Sequence, residues 1–142
     1  MCGISGYFTT GDRAPSILNR MTDAITHRGP DSEGQWQDDE LGVALGMRRL
    51  AIIDLSPAGR QPMFSPDGRY VIVFNGEIYN FRQIRADLER AGQAPAWRGH
   101  SDTEVLLAAI SAWGVTDALK ACNGMFGVAV WDRREQSLCL AI

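Results

Sequence analysis

Cys2 is the residue with the most direct chemical meaning in this sequence. Removal of the initiator methionine depends on a small second residue, and cysteine qualifies. The processed chain would then begin with a thiol and a free α-amine on one residue. An α-amine titrates near 7.7–8.0 and a thiol at about 8.5. At neutral pH the amine can therefore take the thiol proton and later return it to a leaving group. A second group is Asn75-Gly76, inside Phe74-Asn75-Gly76-Glu77-Ile78-Tyr79-Asn80. Placed at a strand-to-helix turn, a side-chain amide and an adjacent backbone N–H give two donors for the oxyanion of a tetrahedral acyl intermediate. Asn-Gly is equally a hairpin turn signal, and that reading stays open at this point.

A third group is charged. Arg49 lies in a β-prone stretch, where a buried arginine needs an anionic partner. Glu77 follows Asn75-Gly76, and Asp102 sits in the first turn of a helix opened by Ser101. One cation and two anions suit the carboxylate and ammonium of an amino acid. A structural ion pair for Arg49 and helix-dipole stabilisation for Asp102 are the simpler alternatives. His27 falls at a helix end, a common dipole-favoured position.

The elements that must position these groups follow from periodicity. Gly3 to Phe8 reads as a strand. Pro15 opens a helix carrying Ile17, Leu18, Met21, Ala24 and Ile25 on one face. Leu41–Ile53 and Tyr70–Phe74 are β-prone, the latter after the turn Ser65-Pro66-Asp67-Gly68. Phe81, Ile84 and Leu88 form a helical stripe ended by Gly92. Ser101-x-x-Glu104 is a capping box for a helix that ends at Gly114. A short segment, Asp117–Ala121, precedes strands Met125–Trp131 and Leu138–Ile142, joined as a hairpin. This order predicts an α+β domain with antiparallel sheets and helices outside.

Bulk composition narrows the function classes. The 142 residues suit one domain, with 45% hydrophobic and 22% charged residues and a net charge of −3. No basic field for nucleic acid is present, and no apolar run approaches the roughly 20 residues that span a bilayer. The start lacks the pattern of a secretory signal, so a cytoplasmic location is expected. Three cysteines without a CxxC pair, and two histidines, suggest neither a disulfide framework nor a metal site. The apolar ending at Ile142 suggests the N-terminal fragment of a longer chain.

Taken together, six motifs occur in order: Met1-Cys2-Gly3-Ile4-Ser5-Gly6, His27-Arg28-Gly29-Pro30-Asp31, Arg48-Arg49-Leu50-Ala51-Ile52-Ile53-Asp54, Asn75–Asn80, Ser101–Glu104 and Asn123-Gly124-Met125-Phe126. This series resembles the class II glutamine amidotransferase domain of glutamine-hydrolysing asparagine synthetases, over residues 1–142. The resemblance implies a four-layer αββα N-terminal-nucleophile hydrolase fold, two stacked, mostly antiparallel sheets flanked by helices. It implies Cys2 as nucleophile on L-glutamine, Asn75 and Gly76 as oxyanion hole, and Arg49 on the substrate carboxylate. Glu77 and Asp102 would take the ammonium, and the backbone at Ile52 would line the pocket. His27–Asp31 would order a loop beside the site. No metal or cofactor is implied for this segment. ATP and Mg²⁺ would serve a C-terminal synthetase domain that receives the ammonia, and a homodimer is compatible with the pattern. An amidotransferase with another acceptor and a non-catalytic glutamine-binding module are the alternatives.

Overall fold

Two units, each a sheet backed by helix, share their inner faces in the computed structural model, which describes residues 2–9, 11, 16–50 and 56–142. The first sheet holds β1 (Gly3–Phe8), β2 (Ser32–Asp38) and β3 (Val43–Arg49), in the order β1-β3-β2. The second holds β4 (Met63–Phe64), β5 (Tyr70–Ile78), β6 (Gly124–Asp132) and β7 (Ser137–Ala141), in that order. Every pairing is antiparallel.

Strand alternation builds the layers. Val43, Leu45 and Met47 of β3 face Val71 and Val73 of β5 and Ala129 and Trp131 of β6 in a core between the sheets. Ala44, Gly46 and Arg48 turn the other way, toward helix α1 (Ser16–Ala24). There a Cβ on Gly46 would crowd Thr22 and Leu18, and the Arg48 guanidinium binds the Thr22 carbonyl and Asp23. On the far side, Tyr70, Ile72, Phe74 and Ile78 meet helices α2 (Phe81–Arg90) and α3 (Asp102–Trp113) in a second core. The stack is helix, sheet, sheet, helix, as the α+β expectation required. Helix α4 (Val115–Ala121) extends the α3 side.

Several local expectations hold, and some need correction. Ser101 caps α3, its hydroxyl accepting from the Glu104 N–H at 3.2 Å. The Glu104 carboxylate, however, reaches beyond the cap to the Arg98 and Gly99 N–H groups at 2.8 and 2.9 Å. Gly114, with φ of 83°, ends α3 and also starts α4. Strands β2 and β4 were not expected. β2 has little apolar character beyond Trp36, and β4 is two residues long. Strand β5 does not stop at Phe74. It continues to Ile78 because β6 pairs with it along its full length, Asn75 opposite Gly127 and Gly76 opposite Phe126. Asn75-Gly76 is therefore neither a hairpin turn nor a strand-to-helix turn; that turn falls at Tyr79-Asn80. The helix start expected at Pro15 lies outside the described residues.

Candidate active site

The inter-sheet core becomes polar at one end of the sandwich. The inward series Val43, Leu45, Met47 in β3 continues to Arg49, and the series Val71, Val73 in β5 continues to Asn75 and Glu77. Ile4 of β1 is preceded by Cys2, which packs against the edge of the same core. Alternation that buries apolar side chains thus delivers a thiol, a guanidinium, an amide and a carboxylate to one place. A cavity of about 170 Å³ opens there, lined among others by Cys2, Arg49, Asn75, Gly76, Glu77 and Asp102. Of the residues that the resemblance assigns to substrate, Ile52 lies outside the described residues.

The start of the chain is held firmly. The Leu50 N–H donates to Cys2 Sγ at 3.3 Å, and the thiol lies 3.5 Å from the Leu50 carbonyl oxygen. Arg28 Nε donates to the Cys2 carbonyl at 3.2 Å. Next to it, Gly29 packs so closely on Arg48 that a Cβ would collide with the Arg48 backbone, and the Asp31 N–H binds the Arg49 carbonyl at 3.1 Å. The His27–Asp31 motif therefore orders the segment beside the thiol, while His27 itself is exposed and does not line the cavity. Arg49 Nη1 donates to the Ser56 carbonyl at 3.2 Å.

Edge geometry explains Gly76. Strand β4 covers β5 only at Val71 and Ile72. The Tyr70 carbonyl accepts from Ser65 on that side, so alternation points the N–H groups of Phe74, Gly76 and Ile78 the same way. Phe74 N–H is taken by Gln61 Oε1 at 2.6 Å and Ile78 N–H by Asp102 Oδ2 at 3.0 Å. Between them the Gly76 N–H faces the cavity. Only glycine fits, since a Cβ would collide with the Met125 carbonyl and the Phe126 backbone of β6.

Asp102 is 5% exposed. Burial pushes its carboxyl above the usual carboxylate range, and the negative charge of Glu77 adds to the rise. Hydrogen bonds from the N–H groups of Ile78 and Thr103 oppose it. Two carboxylates, one of them desolvated, make a setting in which a cation is favoured. The sequence reading did not single out Gln61, Leu50 or Thr103, which also line the cavity. Leu50 acts through its backbone and carries no sequence signal. Gln61 carries a faint one, as a polar residue before Pro62 that the packing buries. Among the described residues no group of histidine, cysteine and carboxylate side chains could hold a metal ion, and no helix is long and apolar enough to cross a membrane.

Comparison with known proteins places this arrangement. Residues 1–142 match the family described as glutamine amidotransferase domain. The chain belongs to that family. Asparagine synthetase [glutamine-hydrolyzing] 1 of Bacillus subtilis is 38% identical over 97% of this chain and 22% of its own length. Amidase chry2 of Gibberella zeae is 35% identical over 99% of this chain and 22% of its own. This glutamine amidotransferase domain thus spans about a fifth of the length of these relatives. A solved glutamine phosphoribosylpyrophosphate amidotransferase from B. subtilis aligns with a TM-score of 0.54 at 24% identity, covering 64% of this chain and 21% of that one. The likeness supports the N-terminal-nucleophile hydrolase fold.

Proposed function

We propose that this domain hydrolyses the side-chain amide of L-glutamine with Cys2 as the nucleophile. The observation that carries the proposal is the convergence of the thiol, Arg49, Asn75-Gly76, Glu77 and Asp102 on one cavity. With Met1 removed, the Cys2 amine accepts the thiol proton as sulfur attacks the amide carbon. Asn75 and the Gly76 N–H hold the resulting oxyanion. Collapse breaks the C–N bond, the amine returns its proton, and ammonia leaves a thioester. Water then attacks the thioester, giving glutamate and the free thiol. Arg49 takes the substrate carboxylate, Glu77 and Asp102 its ammonium, and the backbone at Ile52 completes the pocket.

We further propose that the ammonia serves asparagine formation in a longer protein. The name of the B. subtilis relative supports this acceptor, and ATP and Mg²⁺ would act in the synthetase part. A second reading joins the same glutaminase unit to a different acceptor, and a relative of similar identity carries the name of an amidase and not of an asparagine synthetase. The reaction would take place in the cytoplasm.

A diazo ketone analogue of glutamine tests the proposal. One adduct is expected, on Cys2, and Cys2→Ala should remove it. Labelling at another residue, or none on folded protein whose N-terminus is confirmed as Cys2, overturns the assignment.

A further inference from the structure

The gap left by the short strand β4 is bridged by side chains. Gln61 is buried, and its amide is used at both ends. Oε1 accepts the Phe74 N–H at 2.6 Å, and Nε2 donates to Thr103 Oγ1 at 3.3 Å. Thr103 N–H in turn donates to Asp102 Oδ1 at 2.8 Å, and Asp102 Oδ2 accepts from Ile78 N–H at 3.0 Å. The chain of contacts Phe74–Gln61–Thr103–Asp102–Ile78 forms a bracket around Gly76. Its two ends are the β5 amides on either side of the Gly76 N–H. Its far side carries the Asp102 carboxylate. The Gln61 backbone is fixed as well: a Cβ on Gly34 of β2 would collide with the Gln61 carbonyl oxygen.

Resting on the glutaminase reading, we propose that Gln61 is a positioning residue that sets the Gly76 N–H and the Asp102 carboxylate in fixed relation to each other. One buried amide then couples the donor for the oxyanion to the anion for the substrate ammonium. Neither task needs Gln61 to touch substrate. A simple edge cap would need only its Oε1; the second bond, to the helix that carries Asp102, is what ties the two walls together.

The test uses Gln61→Met, Thr103→Val and Thr103→Ser in this chain, with active sites counted by the diazo ketone. Misplacement of a reacting group by about an ångström costs up to roughly 100-fold, so Gln61→Met should lower kcat per titrated site by about ten- to 100-fold and raise KM. Thr103→Val should raise KM, and Thr103→Ser, which keeps the hydroxyl, should restore it. Because both act through one bond, the double variant Gln61→Met/Thr103→Val should be little worse than Gln61→Met. A Gln61→Met protein with fewer titratable sites but unchanged kcat per site and KM would reduce Gln61 to a folding role and overturn the proposal. So would fully multiplicative effects in the double variant. Amide hydrogen exchange gives a readout independent of turnover. Both Gln61→Met and Thr103→Val should speed exchange at Phe74 and at Ile78, whereas an effect of Gln61→Met on Phe74 alone breaks the bracket. Wild-type protein that takes no label and hydrolyses no glutamine fails the function instead, and leaves the exchange result to decide this inference.

Discussion

Leu50 holds the Cys2 thiol from both sides of one residue, its N–H 3.3 Å and its carbonyl oxygen 3.5 Å from Sγ. The two residues are 48 positions apart, and they meet because β1 pairs with β3 with Gly3 opposite Arg48. The paired contacts fix the position of the sulfur at the edge of the cavity. The pairing register of one sheet edge thereby sets where the proposed nucleophile stands.

Loss of that nucleophile should be nearly complete. Cys2→Ala is expected to lower glutamine turnover by more than about 10⁴-fold, since removing an attacking group removes most of an enzyme's rate. Chains retaining Met1 should be inactive too, because their Cys2 nitrogen is an amide and cannot take a proton. Intact-mass analysis alongside activity measurements checks this: the active fraction should follow the fraction of chains that begin with Cys2.

Asn75→Ala should act on kcat more than on KM. One oxyanion donor is worth about 10²–10³ in kcat. Gly76→Ala should act differently, because its Cβ collides with the β6 backbone before any chemistry is considered. Overpacking of this kind costs about 1–3 kcal/mol, to be read from denaturant unfolding.

In the proposed site, Asp102 should make glutamine binding pH-dependent. Burial raises its pKa in the free protein, and only the ionised form attracts an ammonium. As pH falls through the raised value, kcat/KM for glutamine should fall. In Asp102→Asn this acid limb should disappear while KM is high at every pH. For stability the sign is the reverse. A carboxyl raised by folding stabilises the protein below its unfolded pKa, and that contribution is lost as pH rises through the folded value. The wild-type protein should therefore lose stability relative to Asp102→Asn as pH rises from about 4.

The Arg69–Asp132 pair works in the opposite direction. Hydrogen bonds from the Arg69 guanidinium, the shortest 2.6 Å, hold the Asp132 carboxyl below its ordinary value. A depressed carboxyl stabilises the folded state above its unfolded pKa and loses that contribution as pH falls through the folded one. Asp132→Asn should thus lower the urea midpoint at neutral pH. The difference from wild type should shrink once the pH drops below about 4.

Much of this site could be read in the sequence because its residues sit at the ends of regular patterns. Val43-x-Leu45-x-Met47-x-Arg49 and Val71-x-Val73-x-Asn75-x-Glu77 each continue a two-residue apolar repeat into polar types. That change marks where a buried strand reaches a cavity. The Asn-Gly pair misled because its turn preference is local, whereas its strand conformation is imposed by pairing with Gly127 and Phe126 across β6. Strand β2 escaped for a related reason. Its residues alternate between partly buried and exposed, yet Trp36 is its main apolar anchor, and the pairing with β3 fixes it. Gln61 and Leu50 could not be found from periodicity, since one works from a loop and the other through its peptide group.

The shortness of β4 has a consequence for how the molecule behaves in a crowd. An open strand edge invites other chains to add on and seeds aggregation, because successive outward amides can be zipped in register. Along β5 the outward N–H groups are already occupied on either side of the opening, by Gln61 at Phe74 and by Asp102 at Ile78. A foreign strand would find one amide, at Gly76, and no second one in register. The edge admits a single oxygen atom and refuses a polypeptide.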